Sequence, residues 1–213
     1  MKSSSIFLTC LLLILTIGDL DAQQLSIGLE TGWSSSLSSN FEFTSTRNRR
    51  NTFKAGVNLS YSLRPFLSLT TGFHYLPQGY KHPTCHSEQE GVTNQLITKL
   101  DYLSLPLIAN LHLGSKKRLF FSGGIYGAYK IRAVRHHKER IGGCRISDFG
   151  INSKDVRDVS GGAIVGIGYR VIEMERVQVE TKLQGWKSFG KIDPYQSSHS
   201  LQFTVGVNYR LNK

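Results

Sequence analysis

Three groups of side chains in this sequence have the composition of a chemical site. In His82-Pro83-Thr84-Cys85-His86 a thiol lies among two imidazoles, and His136, His137 and Cys144 offer a second set. Thiolates and imidazoles are ligands of zinc, but these spacings match no finger pattern. Two cysteines in an exported chain are more commonly bonded to each other. Cys85–Cys144 is therefore the disulfide candidate, with a metal site or free thiols as the alternatives. Such a bond would close a loop of about 60 residues and stabilise by roughly 4 kcal/mol in the chain-entropy picture.

The second group is His74 and His112 among abundant serines. A hydrolase needs a nucleophile, a base and an orienting group brought together. No nucleophile motif surrounds either histidine, so no enzyme activity is expected, and His112, on the polar face of its strand, reads as an interior hydrogen-bond partner. The third group is the glycine-containing "GGIYG" (123–127) and "GIGYR" (166–170). Neither precedes a helix start, so a phosphate cradle fails its context test, and the glycines read as room for bulky neighbours within strands. No cofactor is expected.

The densest charge is "RAVRHHKER", Arg132 to Arg140. Arg135, His136, His137, Lys138 and Arg140 are expected on a basic surface loop. In the outer membrane, where the alternation and the family resemblance set out below place the chain, its partners would be lipid, lipopolysaccharide or other envelope proteins. Nucleic acid is not expected, because no aromatic residue interleaves the charges of 135–140.

The elements that must hold these groups follow from the N-terminus onward. Lys2, then an apolar run from Ile6 to Ile17, then Asp21-Ala22-Gln23 form the pattern of a secretory signal peptide over 1–22, leaving 23–213 as the mature domain. The apolar run is too short to span a bilayer as a helix. Loss of Lys2, Asp19 and Asp21 takes the formal charge from +11 to +12, a balance suited to lipid phosphate or acidic polysaccharide. A mean hydropathy of -0.21 excludes a helical membrane protein but leaves open a barrel, in which alternate residues face lipid.

Alternation with period two recurs about eight times. The final segment is representative: Leu201, Phe203, Val205, Val207, Tyr209 and Leu211 share one face, and Gln202, Thr204, Gly206, Asn208 and Arg210 the other. Aromatic residues near the ends of these faces (Trp33, Tyr61, Tyr75, Tyr129, Tyr209) would form interfacial girdles. Short connections at Arg64-Pro65, Gly114 to Lys117 and Glu173 to Glu175 alternate with long ones at about 34–50, 79–96, 133–156 and 188–199. This predicts an all-β fold: an eight-stranded antiparallel up-and-down transmembrane β-barrel with short periplasmic turns and long surface loops. Glu30, Lys54, Arg170, Glu180, Lys182 and Arg210 would then form a polar network inside, with Arg64, Lys130, Arg132, Asn58 and His112 also facing inward. A lumen this narrow would be filled by ion pairs rather than open. Alternation alone also fits a soluble lipocalin-like carrier with an apolar interior, or a lipid-modifying barrel enzyme. Strand length and inward glycines favour the membrane.

The stretch "YLSLPLIANLHLGSKKRLFFSGGIYGAYKI" (Tyr102 to Ile131) resembles the middle hairpin of the outer-membrane β-barrel family common in Bacteroidetes, which includes PorT-like proteins. Tyr102, Leu103, Leu105, Pro106 and Leu107 match its first strand, and Gly124, Tyr126, Gly127 and Tyr129 its second. "GGAIVGIGYRV" and "FTVGVNYRL" are similar to its last strands. The resemblance implies the barrel fold and the outer membrane, but no single activity. The role expected of the chain is non-enzymatic, structural or interactive, and the resemblance permits one version of it, an accessory of a secretion apparatus.

Overall fold

In the computed structural model the described residues are 24–38, 49–81, 85–87, 92–141, 144–146, 157–189 and 198–211. The expected signal peptide lies outside them. Ten strands are present: β1 (Gln24–Ser38), β2 (Arg50–Arg64), β3 (Leu67–Lys81), β4 (Cys85–Ser87), β5 (Val92–Leu113), β6 (Leu119–Ile141), β7 (Cys144–Ile146), β8 (Val159–Glu173), β9 (Val177–Ser188) and β10 (Ser198–Arg210). Eight of them close a barrel in the order β5-β3-β2-β1-β10-β9-β8-β6, with β6 returning to pair with β5. Every pairing is antiparallel, and β1 seals the barrel against β10. Closure satisfies every backbone edge within the wall, the condition for a sheet surrounded by hydrocarbon.

The tight turns fall where the sequence places them. The turn after β2 is centred on Pro65 and Phe66. After β5, Lys117 N–H donates to the Gly114 carbonyl at 3.2 Å, and Gly114 takes φ +75°, a conformation that glycine adopts without cost. Between β8 and β9, Met174 N–H donates to the Val177 carbonyl at 2.8 Å.

The wall is inside out relative to a soluble protein. Leu29 is 67% exposed and Phe53 65%, and the outward positions of β10 are Leu201, Phe203, Val205, Val207 and Tyr209, all exposed. The inward positions Lys54, Asn58, Gln184, Gln202 and Thr204 are almost wholly buried. Contiguous exposed apolar surface on this scale marks a face that meets something other than water. A lipocalin-like carrier needs the opposite arrangement, so that alternative is set aside.

Inside, large side chains stand opposite glycines. Glu30 has Gly56 and Gly206 as its two cross-strand partners, and Lys54 has Gly32. Lys182 faces Gly168, and Tyr126 faces Gly162. A Cβ at Gly56 would come within 2.2 Å of His74 Cδ2 and 2.7 Å of the Phe73 carbonyl oxygen. Gly56→Ala is therefore expected to cost about 1–3 kcal/mol, as overpacking commonly does. A lower urea midpoint for loss of the folded form in micelles measures it.

Two corrections concern the long connections. β5 begins at Val92 and β6 runs to Ile141, so 92–96 and 133–141, expected in loops, are strand. Short strands β4 and β7 then pair on the outer edges of this hairpin. Arg132, expected inward, is exposed. Between Asp101–Arg132 and Tyr102–Lys130 the register shifts, leaving Ile131 as the extra residue, and a bulge of this kind reverses the in–out phase beyond it. Arg64 is likewise exposed, at the end of β2 beyond a second register shift.

Candidate functional site

The barrel interior is where titratable groups converge. Glu30 on β1 accepts from Lys54 Nζ on β2 at 2.9 Å through Oε1, and from Lys182 Nζ on β9 at 3.0 Å through Oε2. Lys182 also lies 3.8 Å from Glu180 Oε2. Glu180 is 3.4 Å from Arg170 Nε, Arg170 is 3.2 Å from Glu173, and Glu173 is 2.5 Å from Arg210. The charges thus alternate in sign from Lys54 through Glu30, Lys182, Glu180, Arg170 and Glu173 to Arg210. The chain runs from the middle of the lumen to the rim where the short turns lie. All six residues that the sequence singles out for the interior are in it, joined by Glu173.

Hydrogen bonds extend the hub. Asn58 Nδ2 donates to Glu30 Oε2 at 3.1 Å, and Asn58 Oδ1 is 2.6 Å from His74 Nε2. Glu30 is 4% exposed, Lys54 0% and Lys182 7%. Charges this deeply buried are tolerable only when paired and hydrogen-bonded, which this geometry provides.

Toward the other rim the filling changes character. Leu76, Leu100, Tyr102, Ile108, Tyr126, Ala128, Ile164 and Trp186 form a buried apolar cluster. Lys54 joins the two halves, with Nζ 4.7 Å from the Trp186 ring centre, and the Tyr126 and Trp186 rings lie 4.7 Å apart. Sequence alternation gives no place to this cluster, because its members occupy the face on which the polar residues stand. The lumen is a packed core, polar at one end and aromatic at the other.

His74 and His112 are both inside. His112 Nε2 lies 3.1 Å from Ser68 Oγ, and its ring packs 5.2 Å from Phe120. Among the described residues no carboxylate is hydrogen-bonded to this pair, so the orienting member of a hydrolytic triad is not supplied there. No group of three or more metal-ligating side chains occurs among the described residues. The side chains of His82, Cys85, His86, His136, His137 and Cys144 lie outside them. In backbone terms Cys85 opens β4, and Cys144 opens β7 on the far edge of the β5–β6 hairpin, so two strands separate the cysteine positions. Arg135, His136, His137, Lys138 and Arg140 lie along β6, opposite Thr98, Ile97, Leu96, Gln95 and Thr93 of β5.

A closed eight-stranded antiparallel barrel with an apolar outer wall and a packed polar interior defines an integral protein of the bacterial outer membrane. The family model for the outer membrane protein beta-barrel domain matches residues 21–185, and the chain belongs to that family. It is an outer-membrane protein. No curated protein matches by sequence. Solved structures similar to it include Neisserial surface protein A (13% identity, 87% of this chain and 96% of that one, TM-score 0.45). Others are Ail, the attachment invasion locus protein of Yersinia pestis (10%, 89% and 97%, TM-score 0.39), and the outer membrane protein AlkL (10%, 90% and 91%, TM-score 0.43).

Proposed function

We propose that this protein is a non-enzymatic barrel, exported by the leader over 1–22, whose lumen is structural and whose working surface is the projecting β5–β6 hairpin. The observation that carries this reading is length. β5 has 22 residues and β6 has 23, against 12 to 15 for the other six barrel strands. Crossing a bilayer takes about 9–11 residues per strand. The surplus extends beyond the rim opposite the short turns, broadened by β4 and β7, and carries Arg135 to Arg140. A basic strand on such a sheet is a surface for acidic partners such as lipopolysaccharide, capsule or another envelope protein. The resemblance to PorT-like proteins supports one version of this, an accessory of secretion. A Cys85–Cys144 bond would require the outer strands to curl toward each other, and the mass of a non-reduced peptide digest tests it.

In planar bilayers the protein is expected to show no unitary conductance, because the lumen is filled. Lys138→Glu with Arg140→Glu is expected to weaken retention on immobilised dextran sulfate, and more so at low ionic strength. The heat-dependent mobility of the barrel should be unchanged. Stable open channels, or retention indifferent to both substitutions, would overturn the reading.

A further inference from the structure

On the wall formed by β8, β9 and β10, the first of which pairs with β6, the outward apolar face is interrupted near its extracellular rim. Gly185 on β9 stands between Val165 on β8 and Leu201 on β10. Nothing about the backbone requires a glycine here. Its φ is not left-handed, and an added Cβ would meet nothing nearer than Val165 Cγ2 at 3.8 Å. This contrasts with inward glycines such as Gly56 and Gly168, whose added Cβ would collide with His74 and Phe120. Together with the small side chain of Ala163, the missing side chain leaves a groove of about 420 Å³ on the outward face. That lies within the size range of small-molecule sites, about 300–1,000 Å³.

The floor and the border of this groove differ in chemistry. Ala163, Val165 and Leu201 supply an apolar floor. Among the described residues, Arg49, Lys187 and His199 are the charged or titratable ones that line it, and none of those is acidic. Lys187 and His199 are direct cross-strand partners, each one residue from the extracellular end of its strand. Trp33, one outward position further into the wall than Ser35, stands below that end of the groove with Phe203 as its partner. An interfacial aromatic with basic residues above it marks the level of the outer-leaflet headgroups.

We infer that this groove is a binding site for an anionic lipid of the outer leaflet, a phosphorylated glycolipid of the lipid A type. One acyl chain lies along Gly185, and a phosphate is held by Arg49, Lys187 and His199. Apolar surface alone would accept any lipid of the surrounding belt. The cluster of bases on the groove's border is what selects the phosphate. The site rests on the lipid-facing wall and is independent of the hairpin, so failure of either reading leaves the other standing.

The test is native mass spectrometry of the mature protein in non-ionic detergent, titrated with bisphosphorylated lipid A and with the same lipid after dephosphorylation. The wild type is expected to retain the phosphorylated lipid at a much lower concentration. Arg49→Ala with Lys187→Ala should remove roughly thirtyfold of that preference, at a factor of about five or six per base. Gly185→Leu should weaken both lipids by filling the groove, and Ala163→Leu provides a second filling variant should the first fail to fold. Each variant is checked for the mobility shift of a folded barrel. Equal retention of the two lipids by the wild type, or unchanged binding in folded filling variants, would show a non-selective lipid belt and overturn the inference.

Discussion

Glu30→Ala is expected to lower the stability of the barrel by about 3–5 kcal/mol, the usual cost of removing one member of a buried ion pair. Glu30 is the carboxylate to which both Lys54 and Lys182 are bonded, and both lysines are buried, Lys54 completely. Without it, Lys182 retains Glu180 at 3.8 Å, whereas among the described residues Lys54 keeps the Trp186 ring at 4.7 Å and no carboxylate. The loss thus falls mainly on Lys54. Glu30→Gln combined with Lys54→Met should recover much of the stability, since it removes the stranded charge together with its partner. Urea titration of the folded, fast-migrating form in micelles measures both variants. A single variant within 1 kcal/mol of wild type would mean that water reaches Lys54, contrary to a packed lumen.

Val205→Arg is expected to cost about 2–4 kcal/mol, with less protein reaching the folded form in bilayers. Val205 points outward near the middle of β10, flanked by Thr31 and Thr181, so an arginine there must enter hydrocarbon. Leu211→Arg, outward but just past the end of β10, should cost at most about 1 kcal/mol. The contrast between depths is the informative quantity, because a water-facing wall would accept arginine equally at both sites. Folding efficiency into vesicles, read by the mobility of unboiled samples, supplies it.

The wall was legible in the sequence because lipid imposes a condition on every second residue. Wherever a strand crosses hydrocarbon the outward position must be uncharged and is mostly apolar, and β10 is apolar at every outward position from Leu201 to Tyr209. The condition lapses outside the bilayer. In Thr93-Asn94-Gln95 and Arg135-His136-His137-Lys138 both faces of the sheet can be wet, so no alternation announces a strand, and the hairpin extension reads as loop. Arg132 misleads for a different reason, since a bulged residue, Ile131, reverses the phase and no side-chain pattern marks it.

The interior was legible by residue type but not by partner. Glu30, Lys54 and Lys182 share the inward phase, yet Lys182 reaches Glu30 across the intervening β10 only because the strands are staggered around a closed barrel. The upper half of the lumen escaped for a simpler reason. Inward positions of a closed barrel need only be packed, and Leu76, Ile108, Ile164 and Trp186 do that as well as polar groups. In Leu105-Pro106-Leu107-Ile108 the two apolar faces merge into one run, and the period vanishes.

The most direct measurement uses the two tryptophans, which stand on opposite sides of the wall: Trp33 is 43% exposed outward and Trp186 is 2% exposed inside. Trp186→Phe leaves Trp33 as the single emitter, and Trp33→Phe leaves Trp186. Refolded into vesicles of lipids brominated at a series of depths, the Trp33 protein is expected to be strongly quenched, most by bromines nearest the headgroups. The Trp186 protein is expected to be nearly unaffected at every depth. Strong quenching of Trp186 together with protection of Trp33 would reverse the faces of the wall and contradict the account.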